Sequence, residues 1–314
     1  MTKDLPDEVL EPLRRLFRVE VWEGEGPVPR HVLLSEVADA AGLLCMLTDA
    51  IDAELLDAAP GLRVVSQMAV GVDNIDVAEC ARRGIVVGHT PGVLTETVAD
   101  TAFALLGAIV RRLPEGEREV REGRWGPWEP FHLTGGDLHG TVLGIVGMGR
   151  IGRAVAVRAR GFHMEVIYAS PRRAEGVEAE HLPLPELLAR ADHVVLCAAL
   201  TEETRGMIGE VELRAMGPGS YLVNVARGPL VVTDALVRAL AEGWIAGAAL
   251  DVTDPEPLPP DHPLLGFPNC LVVPHIGSAS TKTRTAMAAL AVENLVAGLR
   301  GEEMAARYPA TGNP

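Results

Sequence analysis

The sequence predicts an α/β protein of two parallel-sheet domains, and three observations predict it. Apolar runs of strand length alternate with helix-length segments along most of the 314 residues, the rhythm that builds parallel sheets. Near the middle, Thr141-Val-Leu-Gly-Ile-Val runs into Gly147-Met148-Gly149-Arg150-Ile151-Gly152 and then into a helical pattern from Arg153. The length suits about two domains, and a hydrophobic fraction of 48% is ample for their cores.

Residues 5–17 read as a helix with Pro6 near its start, and Val19-Glu-Val-Trp-Glu alternates as a strand does. A Gly/Pro turn from Gly24 to Pro29 precedes a helix near 30–39. Ala41-Gly-Leu-Leu-Cys-Met-Leu is a buried strand, and the helix 52–58 stops at Pro60-Gly61. Leu62-Arg-Val-Val-Ser-Gln-Met is the next strand and leads into Ala69-Val70-Gly71-Val72-Asp73. A short helix over 76–83 and the strand Ile85-Val-Val-Gly complete a first α/β unit. Thr95 to Arg112 is a long apolar helix. The loop after it, Gly123-Arg-Trp125-Gly-Pro-Trp128-Glu-Pro-Phe131, carries aromatic residues suited to an interface or a pocket lid.

The glycine-rich turn opens a second run. Its strands are Met164–Ala169, Asp192–Cys197, Tyr221–Val225, Gly247–Val252 and Leu271–His275. Helices fall at 185–190, near 210–215 and at 233–242, and a long one at 281–299 returns to the first domain. The tail from Tyr308 to Pro314 reads as loose. The expected division is a dinucleotide-binding domain over 98–281, inserted into a substrate domain made of 1–97 and 282–314.

With 43 acidic and 28 basic residues, the formal net charge is −15. That balance argues against nonspecific nucleic-acid or anionic-membrane binding, since phosphates would be repelled. Cys45, Cys80, Cys197 and Cys270 show no metal-ligand spacing, so no metal is expected, and a reducing cytoplasm fits them. The N-terminus carries no apolar signal segment. No apolar run approaches the roughly 20 residues that span a bilayer.

The Gly-x-Gly-x-x-Gly turn between a strand and a helix is what a dinucleotide requires, and marks a Rossmann-like domain. Gly147 permits the tight turn, Gly149 has no Cβ to block a pyrophosphate, and Gly152 lets helix and strand pack closely. The helix N-terminus offers N–H groups to the phosphates. Cofactor contacts are expected at Gly147, Gly149, Arg150, Ile151 and Gly152, and at Val225, Ala226, Asp251 and Gly277. NAD sites place an acid at the end of the second strand. Here that strand ends at Ser170-Pro171-Arg172-Arg173, a hydroxyl and two guanidiniums that suit a 2′-phosphate. NADP(H) is therefore expected to be preferred, with NAD(H) possible.

In open α/β sheets, ligands bind beyond the carboxyl ends of the strands. Arg227, Asp251, Glu256 and His275 all fall there. Arg227 suits a carboxylate or carbonyl oxygen. His275 suits proton donation to a developing alkoxide. Glu256, between Pro255 and Pro257, suits orienting the histidine. Taken singly, each has a plainer structural reading; three at successive strand ends point to hydride transfer to a keto acid.

These residues stand in Val223-Asn-Val-Ala-Arg227-Gly228, Leu250-Asp-Val-Thr-Asp-Pro-Glu256-Pro-Leu and Pro274-His275-Ile-Gly-Ser278. In all three stretches the chain resembles the D-isomer-specific 2-hydroxyacid dehydrogenases, and the resemblance runs over nearly its whole length. It implies two Rossmann-like or flavodoxin-like domains with the active site in the cleft between them. It also implies that Arg227 binds substrate, Glu256 supports the histidine and His275 is the acid/base. Backbone N–H groups of Val70 and Gly71 would hold the substrate carboxylate, with Ser278 nearby.

Within the family, Leu43-Leu-Cys-Met-Leu-Thr-Asp, Thr90-Pro-Gly-Val-Leu-Thr-Glu and Trp125-Gly-Pro-Trp128-Glu-Pro resemble the glyoxylate/hydroxypyruvate reductases. That branch implies a homodimer in which Trp128 shapes the partner's substrate pocket. Dehydrogenases of another 2-hydroxy acid (3-phosphoglycerate, D-lactate) or of phosphite are alternatives, as is a cofactor-sensing corepressor-like binding protein. Two departures stand out. The family usually begins with a strand before the segment that resembles Thr2-Lys-Asp-Leu-Pro, so either residues precede Met1 or the first sheet lacks a strand. His89 stands where Asn is usual before Thr-Pro.

Overall fold

Val, Leu, Ile and Ala fill the strands on both faces, as parallel sheets covered on both sides require. The computed structural model describes residues 1–310. Two compact units divide the chain, Met1–Leu94 with Ala279–Pro314, and Thr95–Ser278.

The first unit holds β1 (Gly42–Cys45), β2 (Val64–Gln67) and β3 (Val86–Gly88), parallel and in that order. One face packs Leu43, Cys45, Val65 and Val87 against Leu55, Leu56 and Cys80 of short helices. Asp52 and Asp76 cap the helices Ala53–Ala58 and Val77–Arg82, accepting from the Leu55 and Glu79 N–H groups. On the other face lies the 20-residue helix Thr281–Arg300. Ser66 Oγ donates to the Ala291 carbonyl at 2.7 Å. Small residues set the spacing: a Cβ on Gly298 would lie 2.9 Å from Val64, and one on Gly88 2.8 Å from Asn294 Cβ.

The second unit is a seven-stranded parallel sheet: β4 (Val142–Val146), β5 (Glu165–Ala169), β6 (Glu180–His181), β7 (His193–Leu196), β8 (Tyr221–Asn224), β9 (Gly247–Leu250) and β10 (Cys270–Val272). The spatial order is β10-β9-β8-β7-β4-β5-β6. The chain winds outward from β4 in one direction and from β7 in the other. Between them lies the switch point, where open α/β sheets bind ligands. Ile167, Leu187, Val194, Leu196, Leu222, Leu236 and Ala248 make the core. The α/β class and parallel sheets are those the sequence predicts.

Four local expectations need correction. Val19–Glu23 forms no strand: Trp22 N–H donates to Met1 O and Thr2 N–H to Leu44 O of β1, but no continuous ladder runs along the segment. Leu113–Arg121 is a helix where none was expected, with Pro114 in its first turn and Glu115 paired to Arg112 at 2.7 Å. The last strand ends at Val272, so His275 sits on a loop. The start of the tail is tied down: Tyr308 N–H donates to Val87 O at 2.7 Å, and Arg307 bridges Gly88. The rest of that tail, from 311 on, lies outside the described residues.

Candidate active site

The glycine turn follows β4 at the switch point. Gly147 adopts φ +96°, and a Cβ there would lie 2.6 Å from the Ala198 nitrogen, just past β7. Only glycine combines that conformation with that approach. A Cβ on Gly152 would lie 2.1 Å from the Gly147 carbonyl oxygen, so the helix Arg150–Gly161 presses directly on the turn. A Cβ on Gly149 would meet nothing within 4 Å. That open space stands at the N-terminus of a helix with no acidic residue in its first turn and no side-chain cap. The cradle fits a dinucleotide pyrophosphate. At the end of β5, Ser170 Oγ donates to Arg172 O at 2.5 Å, and Arg172 and Arg173 are exposed. No carboxylate stands at that strand end.

Arg227 lies three residues beyond β8. The turn that carries it is built by Asn224, the buried last residue of that strand. Asn224 Nδ2 donates to Arg227 O at 2.8 Å, and its Oδ1 accepts from Ala226 N–H at 3.0 Å. Arg227 Nη1 donates to Ala226 O at 2.8 Å. A Cβ on Gly228 would lie 1.9 Å from Thr253 O. The Arg227 turn therefore abuts the Thr253–Pro257 loop, which presents Glu256. Val225 is buried and Ala226 half-buried beneath this turn.

Glu256 Oε1 lies 2.6 Å from His275 Nδ1. Its other oxygen accepts from Thr253 N–H at 3.4 Å. Burial opposes ionisation of Glu256, but the His275 bond and charge, the Thr253 N–H and the Arg227 charge outweigh it. The carboxyl is held below its ordinary value. An ionised carboxylate only accepts, so His275 Nδ1 carries the proton and Nε2 is the ring atom on the far side.

His275 adopts φ +52°, a conformation that costs a non-glycine residue roughly 1–2 kcal/mol. Buried Asp251 holds it there. Asp251 O accepts from His275 N–H at 2.9 Å, and its carboxylate accepts from Ile276 N–H at 2.7 Å and Gly277 N–H at 2.9 Å. Burial is the largest influence on Asp251 and raises its pKa. A Cβ on Gly277 would lie 2.6 Å from Asp251 Oδ2, so a side chain there would displace that carboxylate. The sequence names Asp251 and Gly277 as cofactor contacts; what the geometry displays is a clamp that aims His275. Ser278 is buried at the end of this unit.

Arg227, Glu256 and His275 thus come together within the second unit, at the carboxyl ends of its strands. Val70 and Gly71 belong to the first unit, in the loop after β2. Residues unnoticed in the sequence shape that loop. Buried Gln67 donates through Nε2 to Gly71 O at 3.2 Å and to Asn74 Oδ1 at 2.5 Å, and Asn74 Nδ2 donates to Asp49 O at 2.8 Å. The available signal was a Gln and an Asn flanking an apolar strand and its loop. Trp125, Trp128 and Phe131 stand 76%, 85% and 85% exposed. Their loop is pinned at its base by His132 Nε2, 2.9 Å from buried Glu119. Among the described residues, no group of three or more His, Cys, Asp or Glu could hold a metal. No helix there is long and apolar enough to cross a membrane.

Comparison with known proteins gives one answer. Residues 103–277 match the NAD-binding domain of the D-isomer-specific 2-hydroxyacid dehydrogenases. The chain is 50% identical to a glyoxylate reductase of Korarchaeum cryptofilum over 307 residues, 96% of this chain and 92% of that one. The TT0316 protein of Thermus thermophilus superposes with a TM-score of 0.93 at 49% identity, covering 98% of each chain. An NADPH-dependent glyoxylate/hydroxypyruvate reductase of Sinorhizobium meliloti, crystallised with NADP and malonate, superposes with a TM-score of 0.87 at 36% identity, covering 99% of this chain and 96% of that one.

Proposed function

The chain belongs to the D-isomer-specific 2-hydroxyacid dehydrogenase family, and on that premise we propose that it reduces glyoxylate and hydroxypyruvate, with NADPH preferred to NADH. It is an NAD(P)H-dependent oxidoreductase of keto acids. The observation that carries the proposal further is the 2.6 Å pair of Glu256 and His275, at the strand ends of the unit that holds the glycine turn. Bound NADPH supplies a hydride to C2 of the keto acid. His275, protonated on both nitrogens with Glu256 as counter-ion, gives the Nε2 proton to the oxygen that becomes hydroxyl. Arg227 pairs with the substrate carboxylate or polarises its carbonyl, and in the first unit the Val70 and Gly71 N–H groups are the backbone donors for a substrate carboxylate.

Residues 98–281 serve as the cofactor domain in this reading, and the remainder as the substrate domain. Arg172, Arg173 and Ser170 take the 2′-phosphate, supported by the missing carboxylate at the end of β5. The exposed Trp125–Phe131 loop supports a homodimer, in which Trp128 lies near the partner's active site. Four free thiols fit a cytoplasmic protein.

The test is a substrate panel with both cofactors. Glyoxylate and hydroxypyruvate with NADPH are expected to give the highest kcat/KM, and the chiral product the D configuration. Preference for NADH would overturn the cofactor assignment. Cofactor binding without turnover of any keto acid would make the chain a binding protein instead.

A further inference from the structure

Val70 and Gly71 carry no polar side chain, so an anion can be held there only through backbone N–H groups. The peptides of this loop are trans, since the only cis bonds among the described residues precede Pro255 and Pro257. A trans peptide points its carbonyl and the following N–H in opposite directions. The partner of each carbonyl therefore decides where the next N–H aims. Ala69 O accepts from Thr90 N–H at 2.8 Å, which turns Val70 N–H the other way. Val70 O lies 2.9 Å from His89 Nδ1, which does the same for Gly71 N–H. Gly71 O, held by Gln67, sets Val72 N–H. A carbonyl oxygen only accepts, so His89 carries its proton on Nδ1.

His89 is itself immobilised. It is 7% exposed. Its N–H donates to Ala306 O at 3.1 Å, and its carbonyl accepts from Asn294 Nδ2 at 2.9 Å. Asn294 Oδ1 in turn accepts from Ala306 N–H at 2.9 Å. The Tyr308 ring meets the imidazole edge-on, 5.0 Å between centroids. The missing side chain of Gly88 lets Asn294 come this close.

We propose that His89 is a positioning residue for the substrate carboxylate: by holding the Val70 carbonyl it aims the Gly71 N–H at the anion, and the C-terminal helix and the segment after it hold His89. This rests on the reading that Val70 and Gly71 bind that carboxylate. An asparagine side-chain amide reaches about as far as an imidazole Nδ1, so His89→Asn keeps the donor and His89→Leu removes it. His89→Leu is expected to raise the KM for glyoxylate about tenfold, the worth of one well-placed hydrogen bond. The kcat and the Kd for NADPH should stay within about twofold, and His89→Asn should restore the KM. Equal KM values for the two variants, or an unchanged KM in His89→Leu, would overturn the proposal.

Two measurements keep the failures apart. In the 15N-labelled full chain with NADP present, the Gly71 amide resonance should move on titration with oxalate. If it does not move in the wild type, the carboxylate reading fails, and this proposal with it. If it moves equally in His89→Leu, only the role of His89 falls. The wild type alone provides a further check: the 15N shifts of the His89 ring should report a protonated Nδ1, and an unprotonated Nδ1 would also overturn the proposal.

Discussion

The glycine turn 147–152 and the loop 69–73 are both candidate anion sites made of backbone N–H groups, and they reach that state by opposite means. The turn works by what is missing. Gly147, Gly149 and Gly152 lack a Cβ where one would strike Ala198, fill the cradle or strike the Gly147 carbonyl. The loop works by what is added. Side chains from β2, from the segment after β3 and, indirectly, from the C-terminal helix take its carbonyls and turn its N–H groups outward. The first kind of site tolerates no extra atom. The second degrades gradually, because each lock is one hydrogen bond.

The largest effect should separate groups that touch the reacting atoms from both kinds of scaffold. His275→Ala is expected to lower kcat by about 10³-fold, in the range for a lost general acid, with the Kd for NADPH unchanged. Steady-state kinetics beside a cofactor titration would measure it, and a variant that keeps turnover would remove His275 from its role.

Next come two glycines of one turn. Gly152→Val forces a Cβ into a backbone oxygen at 2.1 Å and is expected to cost several kcal/mol of stability, of the order of 3 or more. The Cβ of Gly149→Ala meets no atom of the protein within 4 Å, so its melting temperature should stay put while the Kd for NADPH rises at least about tenfold. If both variants lost stability equally, the distinction between a packing glycine and a cradle glycine would fail.

In the first unit, Gln67→Leu leaves Gly71 O and Asn74 Oδ1 without their donor. A rise of about fivefold in the KM for glyoxylate is expected, with kcat retained, since one net hydrogen bond is worth about 1 kcal/mol. A collapse of kcat instead would mean that the loop is as unforgiving as the glycine turn.

The smallest effect lies at the far end of the strand that flanks the turn. His193 opens β7, is buried, and lacks a partner for Nδ1 among the described residues. Burial lowers its pKa from 6.5, against the Asp137 carbonyl bond and the Asp192 charge. The unfolded chain then takes a proton that the folded chain refuses. Stability is whole above pH 6.5 and declines as pH falls through and below that value. Melting at pH 7.5 and 5.5 should show a drop of about two degrees that His193→Phe reduces.

Much of the second unit was legible in the sequence because its instructions are local. A strand, three glycines and a helix are contiguous, and Gly147 and Gly152 answer to neighbours within a few residues or one strand away. Arg227, Glu256 and His275 were legible as types at strand ends. Their mutual geometry was not, because the Asn224 turn, the fit of Gly228 against Thr253 and the Asp251 clamp depend on three strands lying side by side. Val19–Glu23 shows the same limit: its alternation is that of a strand, but a strand also needs a partner ladder, which the segment does not have among the described residues.

By itself, then, the sequence determined the α/β class, the parallel order of elements, the dinucleotide turn and the three candidate reactive residues, since periodicity, missing Cβ atoms and chemical type are properties of short stretches. Only the tertiary structure decided where backbone groups point. That depends on which distant donor takes a carbonyl: His89, 19 residues away, for Val70, and Asn294, 205 residues away, for His89. Hydrogen bonds at such separations leave no periodic trace, because any polar residue of the right reach can make them.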